Sequence, residues 1–378
     1  MYNIPLAKPD ITDVERKAVA GVLKTPFLSL GPKLKDFEKK IAKYIGVKHA
    51  VAVSSGTAAL HLIIKALDVR DGDEVITTPF SFISSSNCIL YERARPVFVD
   101  INPDTLNIDT KKIEEKINKK TKAILAVDIF GYPADWEKLK SISKKYKLFL
   151  IEDSAEALGS ELKNKKCGSF GDAAVLAFYP NKQITTGEGG AVLTNSKRIA
   201  DLCRSMSNQG RKVKNGKWLE HERLGYNYRL SEINCALGLA QLSRVKEIIS
   251  KRKKITEMYN RRLKNFSEIK IPQDNKESKV STFVYVIRLN EKYSLKDRQV
   301  IIKRMAERGI YCGEYFHAIH LQPFYRKIMN YKMGDFPVTE SVSQRTVALP
   351  FFNDLKIGEI DFVVRNLKEI IEKLKYGI

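Results

Sequence analysis

Lys182 stands between the apolar run AAVLAFYP and the glycine-rich turn TTGEGG, within the stretch FYPNKQITTGEGG (178–190). Burial or a nearby cation lowers the pKa of an amine, and an unprotonated amine is a nucleophile toward aldehydes. Upstream, LFLIEDSAEALGS (148–160) runs four apolar residues into Glu152 and Asp153, delivering a carboxylate at a strand end. Such a group either accepts structural hydrogen bonds or faces a ligand cation. SSGTAAL (54–60) joins a strand end to a helix start. There Gly56 lets the backbone approach closely, and the free N–H groups suit a phosphate. A helix capped by Thr57 after a turn glycine would carry the same letters. Phe82, in TTPFSFISSS, follows a third strand end and either covers one face of a planar ring or belongs to the core. Each feature alone has a structural explanation. Together, a lysine for an aldehyde, an acid for a pyridine nitrogen and a cup for a phosphate are the parts of a pyridoxal phosphate (PLP) site.

The elements that must position these residues are legible as strands apolar along their whole length, alternating with amphipathic helices. HAVAVSS precedes TAALHLIIKAL, DEVITTP precedes SFISSSNCILY, and ARPVFVD precedes a helix expected around Lys111 to Ile117. TKAILAVDIFG, the helix WEKLKSISKKY and KLFLIED follow, with a hairpin around SELKNKKCGS before the strand AAVLAFY. This order implies an α/β large domain whose mostly parallel sheet is covered on both faces. Ligands in such folds bind beyond the carboxyl ends of the strands, where Asp153, Lys182, Gly56 and Phe82 fall. One long helical pattern runs from Ser231 to about Lys264. After it the strand TFVYVIRL and the helices DRQVIIKRMAERG and EIDFVVRNLKEIIEKLKY indicate a smaller α+β domain. The spacing predicts a large domain over 1–250 and a small C-terminal domain over 251–378.

At 378 residues with a net charge of +22, the chain raises the question of nucleic acid. Its lysines, however, sit in helical patterns such as KLKDFEKKIAKY, mixed with acids, with Leu34, Phe37, Ile41 and Tyr44 at core spacing. No helix-turn-helix, zinc finger or aromatic RNA-binding signature accompanies the charge, so no nucleic-acid partner is expected. The five cysteines, Cys88, Cys167, Cys203, Cys235 and Cys312, have no CxxC spacing, and HxxH at His317 and His320 lacks a third ligand, so no metal is expected. No apolar run approaches a bilayer span and no signal peptide is apparent; the expected location is the cytoplasm, without membrane contact.

Motifs covering nearly the whole chain resemble the DegT/DnrJ/EryC1/StrS sugar aminotransferases, within fold type I of the PLP enzymes. They are SLGPKLKDFEKKIA, SSGTAAL, DEVITTPFSF, ARPVFVDI, IFGYPAD, IEDSAEALG, FYPNKQITTGEGG, LGYNYRLSEINCALGLAQL, HAIHLQPFY and FPVTESVSQRTVALP. The resemblance implies that Lys182 forms the Schiff base with the cofactor and that Asp153 pairs with its pyridine nitrogen. By position, Glu156 lies near the ring hydroxyl, Phe82 stacks on the ring, and the amides of Gly56 and Thr57 hold the phosphate. Asn227, in GYNYRL, would reach the phosphate across a homodimer interface, which makes the active sites shared. Arg229 is placed to meet the carboxylate of the amino donor or to form a salt bridge near that interface; His320 is placed to line the sugar pocket or to pack. Three positions depart from the family pattern. Ala177 replaces a serine that touches the phosphate, Tyr132 stands where glutamine is usual, and Ser55 where asparagine is common.

Relatives that dehydrate at C3 replace the lysine with histidine, so Lys182 implies transamination. TTGEGG with EDSAEA and the later NQG is most similar to the enzymes acting at C4, in particular perosamine synthases. The expected substrates are a nucleotide-diphosphate 4-keto-6-deoxy sugar and L-glutamate. The alternatives are a C3 keto sugar, a UDP- or dTDP-linked sugar, or a cyclitol ketone. A cofactor-binding regulator without catalysis is disfavoured by the intact Lys182, Asp153 and Asn227.

Overall fold

The computed structural model describes residues 3–212, 220–273 and 277–375. Helix α1 (Asp13–Leu23) opens on a capping box, with the Thr12 and Glu15 side chains each accepting from the first turn's backbone amides. Helix α2 (Pro32–Ile45) turns Phe37 and Ile41 into the core, as their spacing requires. Strands and helices then alternate: β1 (His49–Val53), α3 (Gly56–Ala66), β2 (Glu74–Thr77), α4 (Ser84–Leu90), β3 (Arg95–Phe98), β4 (Thr121–Val127), α5 (Trp136–Tyr146) and β5 (Phe149–Asp153). The expected hairpin is β6 (Glu161–Leu162) and β7 (Lys165–Lys166), followed by β8 (Ala173–Ala177), β9 (Gly190–Thr194) and α6 (Lys197–Ser207).

Seven strands form one sheet in the order β1-β9-β8-β5-β4-β2-β3. The run from β8 to β3 is parallel throughout, and β9 lies antiparallel to both of its neighbours. Side chains alternate across it. Leu125, Val127 and Ile151 face a core shared with α3, whereas Ile124, Ala126 and Leu150 face one shared with Trp136, Leu139 and Ile142 of α5. Apolar cover on both faces is why the strands read as continuous apolar runs, and the fold is α/β.

Helices α7 (Glu232–Ser243), packed against α1 and α2, and α8 (Val245–Leu263) follow. Strands β10 (Ile269–Lys270), β12 (Tyr285–Leu289) and β13 (Thr346–Leu349) form a small antiparallel sheet, while β11 (Ser278–Lys279) joins the β6–β7 hairpin. Helices α9 (Leu295–Glu307) and α12 (Ile357–Lys375) cover the small sheet with α8; α10 (Pro323–Met329) and α11 (Pro337–Ser343) sit between them in sequence. Val245 and Ile248 pack into the large core and Ile255, Tyr259 and Leu263 into the small one, so α8 serves both.

Two expected elements differ. The helix around Lys111 to Ile117 is instead two 3-10 turns, Thr110–Lys112 and Glu114–Lys116. Only Ile113 is fully buried there, and Ile117 has already turned extended toward β4, so a single α-helical turn has too little apolar face to propagate. The long pattern from Ser231 breaks at Arg244, whose guanidinium is pinned by Asp10, Glu15 and Glu247.

Asp100, buried just after β3, ties the two parts together. Its carboxylate accepts from the Val338 amide at 3.0 Å and from the Thr339 amide and hydroxyl at 2.9 and 2.8 Å, at the start of α11. Asp100→Ala leaves two half-buried or buried amides unmet and should cost about 2–4 kcal/mol, read as a lowered urea midpoint. An unchanged midpoint would show that α11 is held elsewhere.

Candidate active site

Strand β5 ends in Asp153, which is almost fully buried. Its Oδ2 accepts from the Ser85 hydroxyl at 2.7 Å and its Oδ1 from the Ala155 amide at 3.2 Å. Burial raises its pKa, against those two bonds and the charge of Lys182. Three residues on, Glu156 accepts from the Phe130 amide at 2.7 Å. Its carboxyl is pushed up to about 7 by burial, opposed by Lys182.

Lys182 reaches the same place from the β8–β9 connection. Thr186 donates its amide to the Phe178 carbonyl and Phe178 donates its own to Gly189, closing a tight loop that projects the lysine between its anchors. The amine lies 3.9 Å from Glu156 Oε1 and 4.0 Å from the centre of the Phe283 ring. Burial lowers its pKa, while Glu156 and then Asp153 pull it back up. The amine is thus partly relieved of its proton by desolvation yet flanked by carboxylates able to take it.

Gly56 and Thr57 open α3, so their amides have no intrahelical acceptor; Ser55 caps the Ala58 amide at 3.0 Å. A Cβ on Gly56 would lie 2.9 Å from Cβ of Ala177, and one on Gly190 only 2.5 Å from the Ser55 carbonyl. Bare backbone is therefore required beside this helix start. Thr57 Oγ1 meets Ser84 Oγ at 2.8 Å. Phe82, one turn before Ser85, presents its ring to solvent with 59% exposed. The segment Tyr226–Arg229 is laid between Met206–Ser207 and Ser54 by backbone bonds, leaving Asn227 exposed. Arg229 donates to the Asn208 side-chain oxygen at 3.0 Å, an amide rather than a carboxylate. His320 lies apart from an open pocket wall: it is fully buried, 3.0 Å from Glu340 and packed on Phe336 at 4.7 Å between ring centres.

Several contacts were missed by sequence reasoning. Ser85 lies on the inward face of FISSSN, a pattern with the same letters as a plain helix start. Phe283 is delivered from the segment just before β12. Arg252 donates to the Thr282 and Phe283 carbonyls, and Gln183 to the Ser281 and Glu156 carbonyls. Nothing local in TFVYV announces a ring beneath an amine. Asn181, next to Lys182, reaches Tyr315 at 3.3 Å while its own Oδ1 is buried without a partner.

An amine, an acid and a bare helix start at adjoining strand ends define an enzyme of the PLP type. A model of the DegT/DnrJ/EryC1/StrS aminotransferase family matches residues 9–368. GDP-perosamine synthase of Escherichia coli O157:H7 is 35% identical over 370 residues, covering 98% of this chain and 99% of that one. Among solved structures, the aminotransferase PseC of Helicobacter pylori, involved in the biosynthesis of pseudoaminic acid, aligns with a TM-score of 0.93 at 30% identity over 98% of this chain and 100% of its own. Spr1654 of Streptococcus pneumoniae in its PLP form aligns with a TM-score of 0.93 at 29% identity, over 98% and 99%. The chain belongs to the DegT/DnrJ/EryC1/StrS aminotransferase family and is a PLP-dependent sugar aminotransferase. The residues present fit that cofactor: a buried acid for a ring cation, a desolvated amine for an aldehyde, an orphaned Asn181 oxygen nearby, and bare backbone amides for a phosphate. No helix among the described residues is long and apolar enough to cross a membrane.

Above pH 7 the charge on Glu156 favours the ammonium form of Lys182. In cofactor-free protein, Glu156→Gln should therefore move the pH profile of reductive methylation at Lys182 to lower pH, read by peptide mass. Asp153→Asn should move it the same way by less. A profile unchanged in both would mean that the amine does not feel these carboxylates.

Proposed function

We propose that the enzyme aminates C4 of a GDP-linked 4-keto-6-deoxy sugar with L-glutamate as donor. The observation that carries this reading is the Lys182 amine held between Glu156 and Phe283 at the strand ends, within Coulombic reach of Asp153. The 35% identity to a GDP-perosamine synthase over nearly both full chains supports the choice of sugar.

PLP, when bound, supplies an aldehyde and a ring that accepts electrons. Asp153 would hold a proton on the ring nitrogen, and that positive charge would offset the burial that raises the Asp153 pKa. Lys182 would be the covalent anchor for the aldehyde and, as a free amine, the base that takes the proton from Cα of glutamate and the acid that supplies one to the sugar carbon. Glu156 would meet the ring hydroxyl, Phe82 would cover one ring face, and the Gly56 and Thr57 amides would hold the phosphate. Asn227 of the partner subunit completes that cup, so the working unit is a homodimer with shared sites. Arg229 takes the glutamate carboxylate. His320, being buried, supports the sugar pocket through Glu340 and Phe336 rather than by touching substrate. The surplus of lysine and arginine speeds encounter with a diphosphate substrate.

Loaded protein should be yellow and should bleach when L-glutamate is added. A general base is worth about 10²–10⁴-fold, and the covalent role comes on top, so Lys182→Ala should lose at least about 10⁴-fold in turnover. Turnover within tenfold of wild type would remove Lys182 from the mechanism. NMR of the product from a panel of 4-keto and 3-keto sugars on GDP, UDP and dTDP decides the regiochemistry. Amination of a GDP-linked 4-keto-6-deoxy sugar at C4 is expected, and exclusive amination at C3 would overturn the proposal.

A further inference from the structure

Among the described residues the Lys182 amine donates no hydrogen bond. Its nearest neighbours are the Glu156 carboxylate at 3.9 Å and the face of the Phe283 ring, whose centre is 4.0 Å away. Phe283 is 1% exposed and ends the stretch 281–283, ahead of β12. That stretch belongs to no strand, so its carbonyls need partners of another kind. All three are taken by buried side chains. The Gln183 amide nitrogen donates to the Ser281 carbonyl at 2.9 Å. Arg252, on α8, donates through Nε to the Thr282 carbonyl at 3.0 Å and through Nη2 to the Phe283 carbonyl at 2.6 Å.

Arg252 is 4% exposed, and its hydrogen bonds go to oxygens that carry no charge, the third being Asn353 Oδ1 at 3.4 Å. Its guanidinium carbon lies 4.8 Å from the centre of the Phe351 ring. Burying a guanidinium without a carboxylate bonded to it is costly, and an apolar side chain would fill the same seam without that cost. What the planar fork alone provides is two donors at fixed spacing for two successive carbonyls. Gln183 works from the other side. It follows Lys182 in the chain, and its amide nitrogen also donates to the Glu156 carbonyl at 2.6 Å. One side chain thus ties together the two segments that carry the amine's nearest neighbours.

We propose that Phe283 is the surface on which the free Lys182 amine rests as an ammonium after taking a proton, and that Arg252 is the positioning residue that aims this ring. A ring face attracts a cation within about 6 Å of its centre, most strongly where water is excluded, and gives a neutral amine no such attraction. Unlike a carboxylate, the ring cannot accept the proton, so the proton stays on Nζ until it is delivered. The titratable groups facing the amine are Glu156 and Asp153, from the end of β5 and the turn after it. Tyr315, from the loop after α9, packs edge-on against Phe283 at 6.2 Å between ring centres. Asp10 faces Arg252 from behind Asn353. The catalytic meaning of the contact rests on the reading of Lys182 as proton carrier; the contact itself does not.

Enzyme loaded with pyridoxamine phosphate leaves Lys182 no aldehyde to bind. Reductive methylation of Lys182 against pH, read by peptide mass, then reports the free amine. The ring favours the ammonium and so raises the amine's pKa; losing the ring moves the profile to lower pH. Phe283→Leu keeps apolar cover and should lower the midpoint by about half to one pH unit, whereas Phe283→Tyr, which keeps a ring face, should match wild type. Arg252→Lys keeps the charge but loses the fork, and should lower the midpoint too. Added to Phe283→Leu, it should lower it no further, because both changes remove one contact. A wild-type midpoint in Phe283→Leu would overturn the role of the ring. A wild-type midpoint in Arg252→Lys, or a further fall when it is added to Phe283→Leu, would overturn the aiming role. Should Phe283→Leu fail to fold, phenylalanine carrying one, two or three ring fluorines at 283 decides. A stepwise fall of the midpoint supports the contact, and a constant midpoint overturns it. Arg252→Gln replaces Arg252→Lys in the pair if the latter does not fold. Failure of the function proposed above would appear separately, as no bleaching with glutamate in wild-type enzyme.

Discussion

Burial of the Lys182 amine beside Asp153 and Glu156 is the constraint on which the rest of the large domain depends, because charge is kept out of water only where the surroundings are arranged for it. Each carboxyl is met by a specific donor, Ser85 for Asp153 and the Phe130 amide for Glu156. Those donors come from α4 and from the turn after β4, so the site exists only if three separate strand–helix connections converge. The parallel sheet supplies that convergence, since it gathers carboxyl ends along one edge. Desolvation then does chemical work: it lowers the lysine pKa and raises both acids, moving all three toward the pH at which a proton can be exchanged among them.

How much of this was legible in the sequence follows from the range over which each interaction acts. Strands covered on both faces announce themselves as apolar runs, and β1, β2, β4, β5 and β8 appear where HAVAV, EVIT, AILAV, LFLIE and AAVLA stand. Lys182 and Asp153 were legible because each interrupts such a run at its carboxyl end. The segment at 111–117 was not, because two isoleucines four apart satisfy a 3.6-residue period as well as a pair of 3-10 turns does. The break at Arg244 is invisible for a similar reason. Apolar periodicity continues through it, and its partners Asp10 and Glu15 lie more than two hundred positions away. Phe283, Phe130 and Ser85 belong to the same class: ordinary letters whose role comes from a long-range contact.

His320 shows the opposite failure, a residue whose letters suggest more than its surroundings allow. A histidine in HLQP reads as a pocket group or a packed one, and an aromatic cage of Phe336 and Tyr331 and the carboxylate of Glu340 enclose it completely. Glu340 also accepts from the Gly334 and Phe336 amides, so the histidine completes a carboxylate that organises the approach to α11. The same approach is anchored on the large domain by Asp100. Two buried acids thus hold one short helix against β3.

The two faces of β5 divide labour by parity. Asp153 points toward the cofactor side, and Glu152 one residue earlier points into the α5 layer, so a single strand end carries one acid for chemistry and one for architecture. The first meets the Ser85 hydroxyl within reach of the Lys182 charge, and the second is met by the Gly168, Phe170 and Gly171 amides and the Ser154 hydroxyl. Their separation across the sheet gives two neighbouring acids separate sets of donors. The pattern ED at the end of an apolar run therefore encodes two different dielectric problems, solved on opposite sides of one strand.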